Sequence, residues 1–173
     1  MTAEEIFLKF SAEKLDQLHA RIQDCLGRLT AEQIWARGSE NENAVGNLVL
    51  HLAGNIRQWI GSGVAGLADH RDRDAEFDAR GGRSPAELAD FIRVRVEEAT
   101  EIIRSLPPTR LTEEVGPQGY KVTVLEAISH VFEHFSMHTG QIILLTKMLT
   151  GEDLGYYRHL RGSGRAAVGQ QLP

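Results

Sequence analysis

The strings SPAE at residues 84–87 and TVLE at residues 123–126 each open a long stretch in which apolar residues recur at steps of three and four. In both, a serine or threonine stands three residues before a glutamate, so each side chain can satisfy a backbone N–H that a helix start leaves unpaired. Pro85 adds a fixed φ at the first helical position, where a missing N–H is no loss. The spacing predicts one helix that begins after Ser84 and ends before Pro107 and Pro108. It predicts another that begins after Thr123 and stops near Thr150, with Gly151 as a left-handed cap. Along this last helix Val124, Ile128, Val131, Phe135 and Ile142 form one apolar stripe.

Two further helices follow from the same periodicity. Residues 3–29 carry Ile6, Phe10, Leu15, Leu18, Ile22, Leu26 and Leu29 at helical steps, with one break around Lys14. After the polar stretch RGSENENAVG, the segment AVGNLVLHLAGNIRQWI places Val45, Leu48, Leu52, Ile56 and Trp59 on one face. Between Gly61 and Arg83 the glycines and the run DHRDRDAEFDARGGR read as a long solvated loop with room for a short helical piece. The alternating YKVTVL abuts a capping box and is too short and isolated to found a sheet. The expected fold is therefore all-α, a four-helix bundle with a long connection between the second and third helices. Residues 1–161 make one domain and residues 162–173 a polar tail.

Composition narrows the function classes. A net charge of −5 and a pI near 5.8 give no basic stripe for a phosphate backbone, which argues against nucleic acid. Charges interrupt the N-terminal segment, so it lacks a signal peptide's apolar stretch, and no window is apolar enough to span a membrane. The expectation is a cytoplasmic protein. The single cysteine, Cys25, lies in an apolar helical pattern and reads as core. Trp59, Phe132, Phe135, Tyr156 and Tyr157 read as packing residues.

The last helix also carries HVFEHFSMH, with His130, His134 and His138 four residues apart. Such positions share a helix face, each about 6 Å from the next along the axis. His138 lies nearest the apolar stripe and His130 farthest toward solvent, while Gln141 falls beside His134. His130 and His138 are about 12 Å apart and cannot share one ion. His51 stands at the edge of the second helix's apolar face, an isolated polar ring in NLVLHLAGN. If those two helices are neighbours, His51, His134 and His138 would present three nitrogens to one metal ion and leave positions open. An HxxxH pair alone also arises from half-buried histidines bonded to carbonyls, so spacing leaves both readings standing. His19, His70 and His159 read as structural or surface residues, and the charges around Asp72 and Arg73 as a solvated loop.

Taken together, NLVLHLAGNIRQWI and EHFSMHTGQIILL resemble the DinB-like superfamily of metal-dependent enzymes, with one histidine in the second helix and HxxxHxGQ in the last. The resemblance runs from the first helix to about Leu160. It implies an up-down-down-up four-helix bundle, a divalent ion such as zinc or nickel on His51, His134 and His138, and a homodimer. His130 is no part of the superfamily's triad. Relatives in the superfamily include bacillithiol S-transferases and mycothiol-dependent isomerases. The activity implied is transfer of a low-molecular-weight thiol to a small electrophile, with Glu133 and Gln141 as candidates to orient the reactants. Phe135 occupies the place where the HExxH proteases carry a glutamate, which disfavours peptide hydrolysis. A metal-dependent hydrolase that activates water and a non-catalytic metal-binding stress-response protein remain alternatives.

Overall fold

The computed structural model describes residues 1–160, and the tail expected at 162–173 lies outside the described residues. Five α-helices follow in chain order: α1 (Ala3–Leu26), α2 (Val45–Ile56), α3 (Arg73–Asp78), α4 (Pro85–Ser105) and α5 (Val124–Thr150). Four of them pack as a bundle, and α3 is a short helix inside the long connection. Both expected capping boxes form: Ser84 and Glu87 start α4, and Thr123 and Glu126 start α5. Gly151 closes α5 with φ 71°. The only strands among the described residues are two-residue pieces, Glu114–Val115 and Val122–Thr123, paired antiparallel just ahead of α5. Among the described residues no helix is long and apolar enough to cross a membrane.

Side-chain pairs along the bundle fix its directions. Gln23 donates to the Ala89 carbonyl and Arg104 pairs with Asp16, so α1 and α4 run antiparallel. Phe10 meets Phe132 and Arg28 meets Glu152, so α1 and α5 run parallel. The Trp35 ring packs on Gly46 while its Nε1–H donates to the Arg83 carbonyl, which sets the starts of α2 and α4 side by side. Arg57 meets Glu98 further along, so these two helices are parallel. Gly63 lies against Pro117, just before α5, so α2 and α5 are antiparallel. The order is up-down-down-up. A parallel α2–α4 neighbour pair forces the chain to return the length of the bundle between them, which is why the connection is long.

The core is formed by one face each of α1, α4 and α5 and by nearly all of α2, where ten of twelve residues are buried. After α2 the helix widens into π-type turns over Arg57–Val64, which carry Trp59 inward. The stripe expected on α1 needs correction. Ile6 and Phe10 are 53% and 46% exposed, and the buried face runs through Leu8, Ala12, Leu15, Leu18, Ile22 and Cys25. Read through Leu8 and the small Ala12, this face has no break at Lys14. Phe10 instead sets its ring at 85° to Phe132 near the surface. Cys25 is fully buried, as expected, with Sγ 3.6 Å from the Tyr156 hydroxyl.

This placement predicts unequal costs for two phenylalanine truncations. Phe135→Ala removes a fully buried side chain and should cost about 3–5 kcal/mol in urea unfolding. Phe10→Ala should cost only about 1 kcal/mol, most of it the edge contact with Phe132. Equal costs would return Phe10 to the core.

Candidate metal centre

Antiparallel packing of α2 on α5 brings His51 against the histidine row. His51 Nε2 lies 2.8 Å from His134 Nε2, and one ring nitrogen from each of His51, His134 and His138 falls within 4.8 Å of the others. His51 is buried; His134 and His138 are half-buried. Zinc–imidazole bonds of about 2.0–2.1 Å in a tetrahedral site separate ligand nitrogens by about 3.4 Å. That separation lies between the shortest contact and the bound on the set, so small ring rotations suffice. The donor set, three imidazoles from two helices, suits a transition-metal ion, since imidazole serves zinc, copper, iron and nickel alike.

The outer nitrogens are held as well. His51 Nδ1 lies 3.0 Å from Glu76 Oε2. A carboxylate only accepts, so Nδ1 carries the proton and Nε2 presents its lone pair to the site. The Arg71 guanidinium clamps the same carboxylate, with Nε 2.7 Å from Oε1 and Nη2 2.8 Å from Oε2. Its Nη2 also stands 3.1 Å from His51 Nδ1, but two donors cannot bond each other, so that proximity follows from the shared carboxylate. On the other side His138 Nδ1 donates to Gln141 Oε1 at 2.6 Å, which turns Nε2 of that ring inward.

Glu76 reaches the site because α3 is tied down from below. The buried Asn47 side chain donates to the carbonyls of Glu76 and Ala79 at 2.9 Å, and Arg37 donates to those of Phe77 and Ala79. Asp72 caps the other end through the Ala75 N–H. Gly54 supplies the clearance: a Cβ there would stand 1.9 Å from Glu76 Oε1 and 2.9 Å from Arg71 Nε. The charge run read as a solvated loop is therefore corrected. Its Arg71 and Glu76 side chains are only 4% and 9% exposed and form the layer behind His51. His51 itself is not isolated. The sequence signal was Asp72 as a cap three residues before Ala75, with Glu76 and Phe77 on the next turn.

The remaining expected residues fall as follows. Gln141 partners His138 rather than His134. Glu133 is exposed, beside His130 and outside the three-histidine cluster. His130 also lies outside that cluster, yet it is half-buried, with its ring 3.9 Å from Trp59 and 5.4 Å from His134. His19 bonds Gln23 on α1.

Electrostatics favour neutral rings. Burial, with smaller contributions from His138 and His51, pushes His134 down from 6.5 to about 3. Burial also lowers His138, against a smaller upward pull from Gln141. Burial pushes Glu76 up, but hydrogen bonds from Arg71 and His51 outweigh it and hold the carboxyl below its ordinary 4.5. The site thus joins an ionised outer carboxylate to neutral His134 and His138 rings, the protonation states a cation needs.

Comparison with known proteins adds the family. Residues 2–161 match the family model described as "Protein of unknown function (DUF1572)", and the chain belongs to that family. Among solved structures it is similar to a protein from Enterococcus faecalis described as a "conserved protein of locus", with 15% identity and a TM-score of 0.73. The match covers 88% of this chain and 99% of that one, and at such identity it shows the fold alone. No curated protein matches the chain.

The lowered His134 gives a pH prediction. Its folded pKa lies below the unfolded value of 6.5, so the unfolded chain takes the proton first. Its contribution to stability is present above 6.5 and is lost as pH falls toward about 3. Metal-free protein should lose stability in urea between pH 6.5 and 4.5, above the ordinary carboxyl range. His134→Asn should flatten that slope, and an unchanged slope would place the proton uptake elsewhere.

Proposed function

We propose that this chain, as a member of a family of unknown function, is a metal-dependent enzyme that transfers a low-molecular-weight thiol to a small electrophile. The observation that carries the metal site is the convergence of His51, His134 and His138 within 4.8 Å, with the outer nitrogens of His51 and His138 already engaged. The resemblance of the two histidine motifs to the DinB-like superfamily supports the thiol chemistry and a homodimer.

Bound to three neutral imidazoles, a divalent ion such as zinc or nickel keeps its full charge and lowers the pKa of a thiol or water beside it. The chain's own groups prepare that place. Glu76 keeps the proton on His51 Nδ1, Gln141 keeps it on His138 Nδ1, and burial keeps His134 uncharged. Two features support a thiol over water. Phe135, fully buried, fills the position after His134, so no carboxylate follows it to draw a proton from water. Glu76 is the carboxylate bonded to a triad histidine, and Arg71 holds it ionised and facing away. A thiol needs less help, because its pKa is about 8.5.

Four measurements test this reading. Metal content should be stoichiometric in wild type and in His130→Ala, and lost in His134→Ala. Glu76→Gln should weaken metal affinity about 10- to 100-fold. Metal-loaded protein should conjugate a small thiol to a haloaromatic or an epoxide, with a rate that stays high below the free thiol's pKa of about 8.5. Chelation should abolish it. Thiol-independent ester hydrolysis with the same metal requirement would support the hydrolase instead, and metal binding without either activity would support a binding protein. Sedimentation should show a dimer.

A further inference from the structure

A second site lies behind the Arg71–Glu76 pair. A cavity of about 550 Å³ opens between α2, the segment 68–83 and α4; Arg71 and Glu76 form part of its wall, and none of the three triad histidines lines it. This volume falls within the range of small-molecule pockets.

The cavity is electrically two-sided. On the α3 side every lining carboxylate has a committed partner. Asp69 accepts from Gln58 and from the Arg71 backbone, Asp72 caps α3, and Glu76 is held by Arg71 and His51. On the α2 and α4 side stand Arg57, Arg83 and Arg95. Arg57 and Arg95 share one carboxylate, Glu98, at 3.4 and 3.5 Å. Arg57 Nη1 is buried without a hydrogen-bond partner. Arg83 has the Glu87 carboxylate as an electrostatic neighbour without a direct ion pair, and its guanidinium lies over the Phe91 ring at 4.5 Å. Arg95 lies over the same ring at 5.8 Å. Two guanidinium groups gathered on one neutral ring repel each other, and an anion beside them would turn that repulsion into attraction. Leu50, Ala53 and Phe91 give the cavity its apolar lining.

We propose that this cavity binds a small organic anion, a carboxylate on a compact apolar or aromatic body. Arg83 and Arg95 hold the carboxylate, and Phe91 with Leu50 and Ala53 receives the body. Inorganic phosphate matches the charge but leaves the apolar wall without a partner, so it is the weaker ligand.

Isothermal titration of the full chain with 4-phenylbutyrate, its neutral amide and inorganic phosphate tests this directly. The acid should bind at least about tenfold more tightly than the amide, and more tightly than phosphate. Arg83→Gln and Arg95→Gln should each weaken the acid by about tenfold and leave the amide unchanged. The acid–amide comparison needs no variant, so it stands even if one substitution disturbs the fold. Equal affinity for acid and amide, absence of acid binding, or phosphate binding as tightly as the acid would each overturn the proposal.

Discussion

The Glu76 carboxylate, held between the Arg71 guanidinium and His51 Nδ1, is the interaction on which the site depends. Taken alone, a buried carboxylate beside a half-exposed histidine cluster would be costly. Arg71 neutralises it, His51 uses it, and Gly54 leaves room for it. Removing one member of such a buried pair usually costs about 3–5 kcal/mol, because the other charge is stranded. The same contact decides which His51 nitrogen faces the neighbouring rings, so a charge pair in a connecting segment sets the chemistry of a ring in the core.

The bundle's topology makes that contact available. With α2 and α4 parallel, the chain must return the length of the bundle between them, and it uses this passage to lay α3 across α2. Asn47 and Arg37 hold the C-terminal carbonyls of α3, while α5 supplies His134 and His138 from the opposite side. The three-histidine cluster and the layer behind it are therefore assembled from helices that are near because of the fold and from a connection that is long because of it. The cavity between α3 and α4 arises from the same passage.

Much of this was legible in the residue pattern, and the failures share a cause. The capping boxes, the Gly151 cap and the apolar stripe of α5 are local features, and each formed where spacing put it. His51, His134 and His138 could be singled out because two of them share one helix face and the third interrupts an apolar one. Arg71 and Glu76 could not, since charged residues in a polar run resemble a solvated loop until Asn47, 29 residues before Glu76, anchors α3. Helical spacing places Gln141 near both His134 and His138, and only its side-chain rotation selects His138. Ile6 and Phe10 matched a helical step on α1, but Leu8 and Ala12 offered a second register that the packing of α4 and α5 selected.

The convergence of His51, His134 and His138 is proposed above to hold one divalent ion without rearrangement of the helices. X-ray absorption at the nickel or zinc edge of the loaded protein tests it most directly. Three imidazole nitrogens at about 2.0–2.1 Å are expected, with no sulfur from the buried Cys25. A shell with fewer than two imidazoles, or one made of carboxylate oxygens, would contradict it.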